Sequence, residues 1–243
     1  MISTQNSAIE RIKNSYENIY GENGLRAQRS YPNEELLRFL GREYLSKVNY
    51  DERQNIKILE LGCGSCANLW MIAKENFDAY GLDLSANGIA VGHKMLDNWQ
   101  VKASLKVGSM TDIPFDDEYF DAIFDVFSTF HLNDYSFGIC LDEVVRCLKP
   151  SGKFFSYTPS AKSDAYKNYE PAHKIDKWTL DGIKRNNSAY FGVNEIFRFI
   201  DAEYYRNLLK QREFEITYLE SVGRTYSNCM EYFEFLTIVG KKI

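Results

Sequence analysis

The chain has 243 residues, 44% hydrophobic and 26% charged, the balance of an ordinary globular protein with one large domain or a domain with an elaborated cap. No apolar run approaches the ~20 residues of a membrane span, and the first six residues lack the basic start and apolar core of a signal peptide. A net charge of −5 argues against a nucleic-acid backbone as main partner, and five cysteines without framework spacing predict a reduced, cytoplasmic chain.

Ile9, Ile12, Tyr16, Ile19 and Tyr20 fall at helical spacing, so residues 1–30 read as helix and turn, with Gly21-Glu22-Asn23-Gly24 ending the helix. Arg26, Arg29 and Tyr31-Pro32 follow. Asn33 is then placed to cap a helix over 34–46 whose stripe is Leu36, Leu37, Phe39, Leu40 and Tyr44. A polar loop fills 49–55.

From 56 to about 160 the pattern alternates strand and helix, the mark of a parallel sheet. Strands are predicted at 56–61, 78–83, 103–108, 120–126 and 152–158, and helices at 67–76, 85–97 and 137–148, with Ser85 as N-cap of the second. Lys149-Pro150-Ser151-Gly152 should stop the third helix and turn into the next strand. Residues 160–200 break the alternation with Tyr166, Tyr169, His173, Trp178, Tyr190 and Phe191 among Lys and Asn. A departure of this length inside an α/β domain points to function. A helix at 201–211 and strands at 214–220 and 233–240 finish the chain.

The chemistry concentrates at Ile56 to Ala67, where a β-favouring run ends in Glu60-Leu61 and breaks into Gly62-Cys63-Gly64-Ser65. Strand, tight glycine turn and helix form the first unit of a nucleotide-binding domain. Glycine suits a turn that needs positive φ or close approach of backbone to ligand. Asp83, 21 residues after Gly62, ends the next strand, where a carboxylate takes both hydroxyls of a ribose. The same residues satisfy the dinucleotide fingerprint through Ala67. Against a nicotinamide cofactor stand the charge of Glu60 just before the turn, the late start of the motif, and Pro114-Phe115 with the 149–152 segment, which that chemistry does not need. Cys63 and Cys66 make only half a zinc site, and Cys140, Cys147 and Cys229 supply no second pair, so no metal is expected; a redox dithiol explains the region less well than a glycine turn does.

Glu60-Leu61-Gly62-Cys63-Gly64, Asp83, Ile113-Pro114-Phe115 with Phe120-Asp121, and Leu148 to Gly152, in that order, resemble the class I S-adenosylmethionine-dependent methyltransferases. The segment from Tyr31-Pro32 to Phe39 and the 160–200 insertion look similar to the small-molecule branch, including enzymes of surface-glycan and secondary-metabolite pathways. The resemblance implies an α/β fold: a seven-stranded Rossmann-like sheet, mostly parallel with an antiparallel last strand, and helices on both faces. It also implies a helical cap from 1–48, and a cofactor-binding domain over 49–243 with a substrate lid at about 160–200. Gly62, Cys63 and Gly64 would let the backbone approach S-adenosylmethionine, or its product S-adenosylhomocysteine. Glu60 would help place the aminoacyl group, Asp83 would bind the ribose, and Leu84 would pack on adenine. Ser109 and Met110 would face adenine, although many relatives carry Asp at the position of Ser109. Asp125 would lie where strand-end carbonyls meet the ammonium group. Cys66 stands where the fuller motif has its third glycine.

In this fold His131 lies near the mouth of the methyl site, as candidate general base, with packing as its equal alternative. His173 is a second candidate, and Tyr20, Tyr31, Trp178 and Tyr190 are candidates for holding the acceptor. The implied activity is methyl transfer to a small metabolite or activated sugar, hydroxyl preferred to amine. Methylation of RNA or protein, an inactive cofactor-binding regulatory subunit and an NAD-dependent oxidoreductase are the rivals. No membrane partner is expected, and a homodimer is left open.

Overall fold

The computed structural model describes residues 2–243, and side chains from Ile9 onward. A first helix, α1 (Ile2–Asn23), leads to α2 (Glu34–Leu40). The strand–helix alternation then runs β1 (Lys57–Leu61), α3 (Leu69–Lys74), β2 (Asp78–Asp83), α4 (Ala86–Trp99), β3 (Ser104–Val107), β4 (Phe120–Val126), α5 (Asp134–Cys147) and β5 (Leu148–Pro159). After it come a short α6 (Asp164–Lys167), the strand pair β6 (Thr179–Leu180) and β7 (Phe197–Arg198), then α7 (Ala202–Lys210), β8 (Phe214–Tyr226) and β9 (Glu231–Lys242).

Seven strands form one sheet in the order β3-β2-β1-β4-β5-β9-β8. The first five are parallel, and β9 runs antiparallel to both neighbours, the expected architecture. Alternation along the strands feeds two cores. Ile58, Ala122 and Phe124 face α2, α3 and α4 through Leu36, Phe39, Leu69, Ile72 and Ile89. Leu59, Leu61 and Ile123 face α5 and α7 through Phe137, Leu141, Val144, Tyr205 and Leu209.

Local chemistry explains where elements begin and end. Asn33 accepts from the N–H groups of Glu35 and Leu36, and Ser85 accepts from Gly88, so both anticipated caps form. The helix expected over 34–46 instead loosens at Gly41 into a π-helical turn, Gly41–Leu45. The helix expected at 67 starts at Leu69, because Cys66 is left-handed with φ +61. That conformation explains why the fuller motif has glycine there, and Cys66 bears its cost. The 149–152 segment is not a loop. α5 passes directly into β5, which pairs Phe120 with Leu148 and then Ala122 with Lys153, the extra residues bulging out with Ser151 at φ +64. The closing strands are longer than expected and form a long hairpin.

The end of β4 is organised by Asp125, which is fully buried. Its carboxylate accepts from Ser128 N at 2.9 Å, Thr129 N at 2.9 Å, Thr129 Oγ1 at 2.8 Å, Ser156 Oγ at 2.9 Å and also Ser128 Oγ. The side chain is therefore spent inside the protein, and only the neighbouring backbone is offered to a ligand. Asp125→Ala should lower stability by about 2–4 kcal/mol by orphaning these buried donors. Thermal and denaturant unfolding check this; an unchanged midpoint would show that the loop is held some other way.

Candidate functional site

The glycine turn is tied to the end of β2. Gly62 N and Cys63 N both donate to the Leu82 carbonyl, at 2.8 and 3.1 Å. Gly64 N donates to Asp83 Oδ2 and Ser85 N to Oδ1, each at 2.8 Å. Gly62 (φ +67) and Gly64 (φ +47) are both left-handed. A Cβ on Gly62 would lie 2.4 Å from Ser128 Cβ, and one on Gly64 would lie 2.0 Å from Tyr20 Oη. Both positions exclude a side chain on conformation and on space.

A cleft of about 760 Å³ opens above these strand ends. One wall carries Leu82, Asp83, Leu84, Ser109 and Met110, and the other carries Ile9, Ile12, Tyr16 and Tyr20 of α1. Phe127, Ser128, His131 and Leu132 close it from the β4 side. Sharing Gly62, Gln28 and Phe127, a second compartment continues past Arg29, Glu60, Cys63, Asn68 and Val126.

In that compartment Glu60 is buried, and burial pushes its carboxyl up to about 8. Asn68 Nδ2 donates to Glu60 Oε1 at 2.6 Å, while Oε2 has no partner. The Asn68 oxygen in turn accepts from Arg29 at 3.0 Å and from Asn33 N at 2.9 Å. A buried orphan carboxylate oxygen beside a guanidinium is matched to a zwitterionic amino-acid head, ammonium to Glu60 and carboxylate to Arg29. The Asp83 carboxyl, raised by burial, keeps lone pairs for a ribose at the centre of the cleft. Leu84 and Met110 offer apolar surface for a base. These residues fit S-adenosylmethionine along its whole length. A pyrophosphate at the same turn would bring no ammonium for the orphaned Glu60 oxygen to accept from.

α1 forms the roof. Glu17 caps α4, accepting from Ala86 N at 2.6 Å and Asn87 N at 2.9 Å. Tyr20 lies against Gly64 and Gly88. Tyr16 Oη lies 2.7 Å from His131 Nε2. Burial lowers His131 to about 4, so its imidazole is neutral at pH 7.

Glu60, Gly62, Cys63, Asp83, Leu84, Ser109, Met110, Tyr20 and His131 all line the two compartments, and Gly64 forms the floor against Tyr20. The Ser109 hydroxyl is already engaged by Thr111 at 2.7 Å. Four expectations are corrected. Tyr31 is 65% exposed and stands on the outside against Trp70 and Trp99, because Trp70 and Trp99 stack there face to face. Trp178 packs between Tyr166 and Tyr204, and Tyr190 packs behind Phe127 on Phe197 and Phe233. His173 is exposed and gives its backbone N–H to Asp181. Cys63 and Cys66 are buried free thiols, and no metal-holding cluster occurs among the described residues. Missed from the sequence were Gln28, Arg29, Asn68 and Tyr16. Tyr16 sits in the apolar stripe of α1 and so reads as core, and the others lie in turns with no motif.

Residues 58–152 match the family model described as a methyltransferase domain. This segment carries a methyltransferase domain, of the class I S-adenosylmethionine-dependent kind. A sterol 4-C-methyltransferase of Caenorhabditis elegans is 25% identical over 68% of this chain and 56% of its own length. A fatty-acid O-methyltransferase of Mycolicibacterium smegmatis is 31% identical over 60% of this chain and 48% of its own. The chain thus spans about half the length of the curated relatives it matches. The crystal structure of a Pyrococcus horikoshii protein shares the fold at a TM-score of 0.65, with 23% identity over 86% of this chain and 89% of that one.

Two results should follow for this methyltransferase domain. Asp83→Ala should weaken S-adenosylhomocysteine binding by about 1–3 kcal/mol, read by calorimetry, through unmet ribose hydroxyls. Binding should also release a proton, because Glu60 is neutral below about pH 8 when free and must ionise against the ammonium. Affinity should therefore rise between pH 6 and 8, by up to about tenfold per unit, and Glu60→Gln should flatten that slope. A slope unchanged in the variant would assign the proton to another group.

Proposed function

We propose that this chain transfers the methyl group of S-adenosylmethionine to a hydroxyl on a small acceptor with a largely apolar body. The observation that carries the reading is the orphaned Glu60 oxygen in a compartment that shares Gly62 with the cleft lined by Asp83, which suits the aminoacyl head and the ribose of one cofactor. The bound cofactor supplies a methyl group already activated by a positive sulfur. The protein's part is alignment and exclusion of water. Glu60, Arg29 and Asp83 fix the cofactor, and the roof of α1 closes over it. Phe127, which lines both compartments, would offer an aromatic face to the positive sulfur, worth ~0.5–2 kcal/mol.

The apolar acceptor follows from Ile9, Ile12, Phe127 and Leu132, which line the free part of the cleft. Relatives that act on a sterol and a fatty acid favour the same class. A hydroxyl is preferred because a neutral imidazole lines the cleft, and an oxygen nucleophile needs a proton acceptor. The surface charge of −5 weighs against RNA.

The test is transfer of a labelled methyl group to a sterol, a long-chain fatty acid, a reduced quinone, bulk RNA and casein. Label on a hydroxyl oxygen of the sterol or the reduced quinone, with kcat/KM for that acceptor unchanged from pH 8 to about pH 5 at saturating cofactor, supports the reading; label only on carbon or on the fatty-acid carboxylate, which needs no base, overturns its hydroxyl part. Label only in RNA or protein overturns it. Tight cofactor binding with no label anywhere favours a regulatory subunit.

A further inference from the structure

His131 touches the cleft yet is only 8% exposed, and the phenol of Tyr16 is what its Nε2 meets. Its Nδ1 lies 3.3 Å from the carbonyl of Ile196, which can only accept, so Nδ1 carries the ring proton. Nε2 then presents its lone pair, and Tyr16 donates to it across 2.7 Å. This direction leaves the lone pairs of the Tyr16 oxygen free on a residue that lines the cleft. An acceptor in the cleft reaches the imidazole through Tyr16.

We infer that Tyr16 and His131 form a two-member proton relay in which Tyr16 is the catalytic residue touching the acceptor and His131 receives the proton. The inference rests on the hydroxyl reading proposed above. As the acceptor oxygen attacks, its bond to the methyl carbon forms while the carbon–sulfur bond breaks, and the electron pair of that bond stays on sulfur. The acceptor's O–H proton passes to the Tyr16 oxygen, and the Tyr16 proton passes to His131 Nε2. No other reactant is needed. The positive charge lost at sulfur reappears on the imidazole, so the net charge of the crevice is unchanged through the step.

Burial holds His131 low and the Tyr16 phenol well above its ordinary value, so the resting pair is a neutral imidazole and an intact phenol. A weakly basic imidazole suffices, because an oxygen that is gaining an alkyl group becomes a far stronger acid than imidazolium. Glu195 acts electrostatically on both members and lines an adjoining cleft with Ile12 and Ile196, which places a negative charge where the imidazolium forms. Asp83 also faces Tyr16 electrostatically. The alternative is that Tyr16 only docks α1.

The first arm of the test is nitrogen-15 NMR of the imidazoles in the full chain saturated with S-adenosylhomocysteine. The relay predicts that His131 keeps its proton on Nδ1 from pH 8 to about pH 5, and that Tyr16→Phe moves the Nε2 resonance toward that of a free lone pair. A proton on Nε2, or an Nε2 resonance indifferent to the substitution, overturns it whatever the acceptor is. The second arm supplies phenol and 4-nitrophenol as acceptors at about pH 8, where the nitrophenol is largely ionised and needs no base. Tyr16→Phe and His131→Gln, checked for cooperative unfolding, should each lower kcat on phenol at least ~100-fold. The double variant should be no slower than either single one. On 4-nitrophenol the loss should stay small. Equal losses on both phenols, or losses confined to KM, overturn the relay and leave Tyr16 a packing residue. If the native protein binds cofactor but methylates neither phenol, that counts against the hydroxyl reading, and the relay stands or falls on the imidazole resonances.

Discussion

The site depends on a backbone constraint: the turn after β1 must lie against the end of β2 closely enough for Gly64 N–H to reach the Asp83 carboxylate. That approach is open only because Gly62 and Gly64 carry no side chains and take left-handed conformations. Gly92 continues the same logic in α4, where a Cβ would lie 2.7 Å from Cys66 Sγ and 3.1 Å from the Gly64 carbonyl. Once turn, strand and helix are this close, Asp83 is fixed by two backbone donors and points its free lone pairs into the cleft. The Asp83 carboxylate is thus part of the turn beside it.

A second polar centre works the other way. Asp125 is consumed by its own loop, and that loop carries Phe127, Ser128 and His131 to the wall of the cleft. The insertion braces it from outside. Arg198 of β7 is fully buried and reaches the Thr129 carbonyl, and Ile196 orients His131. The 160–200 segment therefore acts on the site mainly from behind, through β7 and its aromatic core. This explains why its aromatic residues, expected in the acceptor site, are found in packing.

The parts of the fold legible in sequence were those written in local pattern. Strand–helix alternation, the Asn33 and Ser85 caps and the Gly62–Gly64 turn each need only a few neighbouring residues to specify them. Glu60 and Asp83, proposed above as cofactor anchors, could be singled out because both stand near strand ends next to a recognisable turn. Arg29, Asn68 and Tyr16 could not, because their role comes from chain brought together across 39 to 115 positions, as in the Arg29–Asn68 and Tyr16–His131 pairs. Tyr16 was hidden further by its spacing, since a helix that roofs a ligand has the same apolar stripe as one that covers a core. Tyr31 was misplaced for the converse reason: an aromatic residue beside a motif stacks on the nearest exposed ring, here the Trp70–Trp99 pair.

The measurement that tests the central claim most directly is calorimetric titration of the full chain with S-adenosylhomocysteine and, separately, with NAD and NADP. The account predicts binding of the first alone, with a dissociation constant of about micromolar or tighter. Binding of a nicotinamide cofactor alone would contradict the match between the Glu60 compartment and an amino-acid head, and with it the methyl-transfer chemistry built on that match.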